Sequence, residues 1–163
     1  MIHHRKSWAS FGILIASAML AVPAFATMGS GFQAAPIVGG HFGTLDVKAE
    51  KIGKWDLLLK TKDSTDVSAD RLTIQPEGHS GWHSHPAPVF VTVTSGTVQW
   101  YDEQLCTAHT YTAGQSYIEP AGRAHDVRNS GATVAEFVAI TVKPAGYVGP
   151  AFRVDEPTPN NCD

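Results

Sequence analysis

The fold is decided by the stretch "GQSYIEPAGRAHDVRN", residues 114–129. It holds two short runs of β-type residues, SYIEP and HDVRN, separated by residues that favour turns. Gly114 opens the stretch, Pro120 and Gly122 lie between the two runs, and His125 begins the second run. Glycine and proline at such positions mark turns, so the stretch predicts two strands joined by a bend, with His125 on the second strand.

A pair of histidines lies in a second stretch, "GWHSHPAPVF", residues 81–90. Side chains at i and i+2 of a strand point to the same face, so an extended backbone would project His83 and His85 together. Two imidazoles on one rigid element can chelate a metal ion, but two histidines that only decorate a surface strand fit the stretch equally well. The pair alone leaves both interpretations open.

The two stretches together resemble the cupin superfamily. The second motif of that family is Gly, five residues, Pro, one residue, Gly, two residues, His, three residues, Asn, and residues 114–129 match it at every position. The first motif matches at four positions, with four residues rather than five after its first glycine: Gly78, His83, His85 and Gly96. Both motifs occur in the order that the family shows, and the surrounding chain has a β-type pattern.

The resemblance implies an all-β fold, a double-stranded β-helix or jelly-roll barrel, over residues 41–150. It also implies that one divalent metal ion is bound inside the barrel by three histidines: His83, His85 and His125. Three glycines would serve turns in that fold: Gly96, Gly114 and Gly122. Cupins are frequently dimers, so the resemblance allows a homodimer.

Position 89 departs from the family pattern. Where the first motif usually carries Glu, seven residues before Gly96, this chain has Val89, which cannot coordinate a metal. Three neutral imidazoles still hold a divalent ion and leave coordination positions open. Alternatively, Glu119 could supply a displaced carboxylate, because an acidic group inside a barrel is costly unless it is paired or coordinated. Glu119 would then be a fourth ligand or a catalytic general base; a third interpretation leaves it solvated at the end of its strand.

Outside the motifs, short β-type runs punctuated by Gly, Pro, Asn and Asp predict a single-domain sandwich or barrel. Ser95-Gly96, between "VFVTVT" and "TVQWY", fits a tight hairpin turn. Four aromatic residues are predicted to pack in the interior: Trp82, Phe90, Trp100 and Tyr111.

The first 26 residues have the three parts of a secretory signal peptide. Two basic residues precede an uncharged apolar run, and small residues lead up to Ala26. The run is short for a bilayer span, so we expect cleavage after Ala26 rather than a stable membrane anchor, and a periplasmic or secreted protein. Residues 27–40, rich in Gly and Ala, are predicted to be a flexible leader, and residues 151–163 a loose C-terminal tail.

The charge of the chain limits the classes of binding partner, and its two cysteines indicate a disulfide. The chain has 12 basic and 15 acidic residues, and cleavage would remove two basic ones, which leaves a net charge near −5. An acidic protein without a basic cluster disfavours nucleic acid and anionic membranes, because both bind through neutralisation of phosphates. Cys106 and Cys162 are predicted to form a disulfide in an oxidising compartment, with two unrelated buried thiols as the alternative.

The predicted function is that of an exported small cupin that binds one divalent metal and acts on a small molecule, in the manner of an Fe(II)-dependent dioxygenase. The alternative is a non-catalytic periplasmic protein that binds a metal or a small ligand. Imidazole suits several metals, so Fe(II) is the first choice while Zn, Mn, Ni and Cu stay open. Arg123 and Arg128, which flank His125, are candidates for attracting an anionic substrate.

Overall fold

The computed structural model describes residues 28–147, 152–160 and 162. The predicted signal peptide lies outside these residues. Within them every regular element is a strand: β1 (Ser30–Phe42), β2 (Asp46–Lys48), β3 (Leu58–Lys60), β4 (Thr65–His79), β5 (His83–Ser84), β6 (Val89–Ser95), β7 (Thr97–Asp102), β8 (Ala108–Thr112), β9 (Ser116–Glu119), β10 (His125–Arg128), β11 (Ala135–Pro144) and β12 (Val154–Asp155). In this part of the chain no helix is long and apolar enough to cross a membrane.

The strands build one antiparallel sheet that folds into two halves. One half has the order β1-β4-β11-β6-β9, and the other has the order β12-β5-β10-β7-β8. The halves join where the end of β4 meets the end of β10, at the pair His79 and Arg128. β2 and β3 form a separate two-stranded sheet. The architecture is the predicted all-β, barrel-like jelly roll.

The hydrophobic core lies between the two halves and takes side chains from both. β6 shows the alternation that produces it, because Val89, Val91 and Val93 are buried while Phe90 is 46% exposed. Both halves of the sheet contribute to the rest of the cluster: Ile74, Tyr117 and Phe137 from the first, and Val98, Trp100 and Val127 from the second. The prediction that Phe90 packs inside is wrong, since its position in the pleat faces outward.

The turn predicted at Ser95-Gly96 is a corner between the halves rather than a hairpin. β6 pairs with β9 and β11, whereas β7 pairs with β8 and β10. Gly96 makes this crossing with a φ of +74°, and a Cβ there would lie 3.0 Å from the Cα of Ala135. Both the backbone conformation and the close approach favour glycine.

The flexible leader predicted over residues 27–40 is wrong for most of its length. Ser30–Phe42 is a 13-residue strand, and it pairs with β4 from Ser30 opposite His79 to Phe42 opposite Thr65. Nearly all its side chains are exposed, so its sequence needs no apolar alternation. Backbone hydrogen bonds along the edge of β4 hold it in place, and these depend little on residue type.

The C-terminal segment, residues 152–160 and 162, is fixed to the barrel by two devices. Cys106 and Cys162 form a disulfide with a Cα–Cα distance of 4.9 Å. β12 adds to the edge of β5, with Val154 opposite Ser84. The tail that the sequence predicts to be loose by itself therefore lies directly beside the strand that carries His83.

Candidate metal centre

The structure brings together the three histidines that the sequence predicts as ligands. His83 on β5 lies directly opposite His125 on β10, and His85 follows β5 by one residue. Their ligand nitrogens all lie within 4.8 Å of one another, and the two paired histidines are buried. Ser84 points away from them and donates a hydrogen bond to Glu156 at 2.8 Å. The alternation expected of an extended backbone thus projects the two imidazoles of β5 to one side.

Each imidazole is oriented by a backbone carbonyl. His83 Nδ1 donates to the carbonyl oxygen of Gly81 at 2.7 Å, and His125 Nδ1 donates to that of Arg123 at 3.0 Å. His85 Nδ1 donates to the carbonyl oxygen of Phe152. A neutral imidazole has one N–H, so each Nε2 keeps a lone pair. Metal-binding histidines are commonly fixed by this kind of bond, which leaves three Nε2 atoms available to one ion.

Glu119 supplies a carboxylate at the same point. Its Oε2 lies 3.2 Å from His85 Nε2 and 3.5 Å from His125 Nε2, and its side chain is 6% exposed. Ligand atoms about 2.1 Å from one ion, at octahedral or tetrahedral angles, are about 3.0–3.4 Å apart. The carboxylate oxygen is therefore at ligand-to-ligand distance from two imidazoles, and the interpretation of Glu119 as a solvated residue is wrong.

The electrostatics of His125 and Glu119 also favour a bound cation. His125 Nε2 is buried and has no hydrogen-bond partner among the described residues. Its lone pair faces the carboxylate of Glu119, and two electron-rich atoms in a buried site repel each other unless a positive charge lies between them. A divalent cation bound by the three Nε2 atoms and Glu119 removes this conflict.

Without a cation, protons compete for these atoms. Burial is the largest single effect on His125 and lowers its pKa, but the charge of Glu119, its close contact with the imidazole and the bond to the Arg123 carbonyl together raise the pKa above the ordinary value of 6.5. For Glu119, burial raises the pKa, but the charge of His125 and the close contacts with the Nε2 atoms of His125 and His85 lower it well below its usual range. Burial and the charge of His125 lower the pKa of His83 to about 3. Glu119 is thus ionised and His83 is neutral at physiological pH.

A cavity of about 290 Å³ opens onto the histidines and Glu119. Most of its wall is apolar: Phe32, Ala34, Leu72, Val89, Val127, Phe137, Ala139 and Phe152. Beyond the metal centre, two ionisable side chains line it, Asp70 and Arg153. Small-molecule sites commonly combine an apolar wall with a few polar groups in this way.

Arg123 and Arg128, which the sequence predicts as candidates for attracting an anionic substrate, lie outside the cavity. Arg123 pairs with Asp102 at 2.5 Å, and Arg128 donates to Asp126 at 2.7 Å. Neither lines the cavity, which receives Arg153 instead. The only sequence signal for Arg153 is the predicted disulfide, because it ties the segment before Cys162 to the barrel.

The similarities found to known proteins cover part of the chain. A family model described as a cupin domain matches residues 70–141. No functionally curated protein matches the chain.

Among solved structures, a sugar phosphate isomerase of the cupin superfamily from Silicibacter pomeroyi is 25% identical, with 47% of this chain and 50% of that chain covered and a TM-score of 0.42. The oxalate decarboxylase of Lactobacillus farciminis is 22% identical, with 48% and 24% covered and a TM-score of 0.43. A conserved Streptococcus pyogenes protein of unknown function is 19% identical, with 63% and 96% covered and a TM-score of 0.43. The match thus spans half the length of the isomerase.

Proposed function

We propose that the protein is a small-molecule metalloenzyme built on the cupin domain whose model matches residues 70–141, with one divalent ion held by His83, His85, His125 and Glu119. The observation that carries this proposal is the buried Glu119 oxygen at 3.2 and 3.5 Å from two imidazole nitrogens. The set of three imidazoles and one carboxylate suits Fe(II), and it is also compatible with Zn, Mn, Ni and Cu.

When bound, the ion supplies Lewis-acid and redox chemistry at the coordination positions that the protein leaves open. The chain's own residues orient and shield that chemistry. Three backbone carbonyls fix the imidazole planes, and the apolar wall limits water around the site. A doubly charged ion with one carboxylate ligand keeps a net positive charge, which favours an anionic substrate.

The most specific version of the proposal is an Fe(II)-dependent, dioxygenase-like reaction. The second candidate is a protein that binds a metal or a small ligand without turnover. It is favoured by the cavity, whose largely apolar wall beside the ion would hold a small ligand whether or not it reacts.

We also propose export, with removal of residues 1–26 and a periplasmic or secreted mature protein. The disulfide between Cys106 and Cys162 supports this location, because such bonds persist in oxidising compartments and are rare in the cytosol.

The test is metal analysis of protein purified from its native compartment, followed by oxygen-uptake screening against small organic acids. One equivalent of a divalent metal together with oxygen consumption would support the enzyme. Stoichiometric metal without consumption across the screen would favour the binding protein. Protein that takes up no divalent metal between about pH 6 and 8 would overturn the metalloenzyme and leave only a protein that binds a small ligand.

A further inference from the structure

Arg153 presents a buried, charged donor at the cavity beside the metal centre. Its Nη1 is buried and has no hydrogen-bond partner among the described residues. The side chain lines the cavity together with His83, His85 and Glu119. A buried donor left without a partner is costly, more so when it is charged, so such a group at a cavity indicates a ligand that completes it.

The rest of the guanidinium is held in place. Nε donates to Asp155 at 2.7 Å, and Nη2 donates to the carbonyl oxygen of Ser80 at 2.8 Å. These two bonds fix the plane of the group while Nη1 keeps both of its N–H donors. One N–H of Nη1 together with the remaining N–H of Nη2 matches the two oxygens of a carboxylate, and the pairing is strong because both partners are charged.

The charge of Arg153 is only partly balanced by its neighbour. Asp155 is 51% exposed, so water screens its effect on the guanidinium. Inside the cavity, the carboxylate of Asp70 opposes a second negative charge on a ligand. A ligand with one carboxylate is therefore favoured over a dicarboxylate.

The size and wall of the cavity define the rest of the ligand. Its volume of about 290 Å³ lies at the lower limit of the roughly 300–1,000 Å³ found for small-molecule sites, and most of its wall is apolar. We propose that Arg153 binds the carboxylate of a small monocarboxylic acid whose apolar body lies against this wall, near the metal centre. This names the substrate class and so rests on the proposed function, although binding by Arg153 does not itself require the ion.

The experiment compares carboxylates with their neutral amides. Benzoate and benzamide, and butyrate and butyramide, would be titrated calorimetrically into the zinc-loaded and the metal-free protein. The wild type is expected to bind each carboxylate at least about tenfold more tightly than its amide, in line with a charge-assisted pair. Arg153→Gln should reduce this ratio to near one with unchanged zinc content, whereas Arg153→Lys should keep part of it. Arg71→Gln is the matched control, because Arg71 is exposed and lies outside the cavity.

Two results would overturn the inference: no carboxylate preference in either pair, or a preference that survives Arg153→Gln. If Arg153→Gln does not fold, as judged by circular dichroism and thermal melting, Arg153→Lys decides: an undiminished ratio there counts against a fork-shaped contact. A ratio that depends on Arg153 in protein that binds no metal would retain this inference and remove the metalloenzyme. Protein that binds one equivalent of zinc but shows no Arg153-dependent preference for carboxylate over amide would retain the metal site and remove this inference.

Discussion

Val89 and Glu119 lie directly opposite each other on β6 and β9, and both side chains are buried. Opposite residues of an antiparallel pair point to the same face of the sheet. Glu119 therefore faces the same region as position 89, where the resemblance to the cupin motif predicts a glutamate. We infer that the carboxylate reaches this region from β9 instead of from β6.

A reciprocal exchange tests this relationship. Glu119→Val is expected to weaken metal binding by at least roughly tenfold to a hundredfold, the range seen when even indirect contacts to a metal ligand are lost. Adding Val89→Glu to that variant should restore most of the affinity, because the new carboxylate starts from the facing position. The measurement is competition titration against a metal indicator. Glu119→Gln that binds metal like the wild type but loses turnover would instead mark Glu119 as a general base.

Each of the three histidines should be needed for metal binding. His83→Ala, His85→Ala and His125→Ala are each expected to lower bound metal to well below one equivalent, since each removes one of the converging Nε2 atoms. His109→Ala is the control, because His109 is exposed on β8 and belongs to no ligand cluster. Mass spectrometry of metal content in dialysed protein gives the answer. Full occupancy in any of the three site variants would contradict the ligand assignment.

Metal affinity should fall as pH decreases, from an onset above the ordinary histidine pKa of 6.5. Burial lowers the pKa of His125, but Glu119 and the Arg123 carbonyl together raise it by more, and a protonated Nε2 cannot coordinate. Below the raised pKa, each pH unit should cost about tenfold in affinity, since one proton must leave. His83, with a pKa of about 3, adds no proton in this range. In Glu119→Gln the charge that raises the pKa of His125 is removed while burial and the charge of Arg153 still lower it, so titrations between about pH 5 and 8 should show a lower onset. An unchanged onset would contradict the coupling.

Reduction of the disulfide should lower both stability and metal affinity. Cys106 and Cys162 are 56 residues apart, and closing a loop of that length stabilises by roughly 4 kcal/mol, so a thermal midpoint about 10 °C lower is expected. The affinity falls because Phe152, which orients His85, lies in the released segment. The double variant Cys106→Ser/Cys162→Ser should resemble the reduced protein and ignore reductant. A reduced protein that melts and binds metal as before would refute the link.

Export can be tested on the intact protein. The mature chain recovered from the periplasm or medium is expected to begin at Thr27, because small residues precede that bond. Intact mass spectrometry measures this directly. Exported material that still carries residues 1–26 would show that the segment is retained.

The parts of the site that could be predicted are those fixed by local backbone periodicity. The spacing of His83 and His85 places both imidazoles on one side of an extended chain, and the Pro120–Gly122 turn precedes the strand that begins at His125. The sequence leaves three alternatives for the role of Glu119, because the neighbours of Glu119 depend on the pairing of β9 with β6. Register between strands distant in sequence is set by tertiary packing, which a single sequence does not display.

The errors have related causes. β1 was predicted to be flexible because its exposed side chains carry no periodic signal, yet its backbone is paired throughout with β4. Residue type alone predicts an interior position for Phe90, whereas the pleat of β6 points its neighbours Val89 and Val91 to the interior. Arg153 and Asp70 were missed, since one follows from the path of the C-terminal segment and the other is a charge within β4.

The contact between Phe152 and His85 also links thiol oxidation to the metal centre. The segment that carries Phe152 is anchored through Cys162 as well as through β12, so we expect oxidation to strengthen the hydrogen bond that orients the third imidazole. On the proposed export, a precursor in a reducing cytosol would hold this imidazole less firmly and would bind metal more weakly than the oxidised protein does. We therefore expect metal binding to be favoured once the chain reaches an oxidising environment. Because imidazole and carboxylate accept several divalent ions, the ion acquired would be set by which metals that environment supplies.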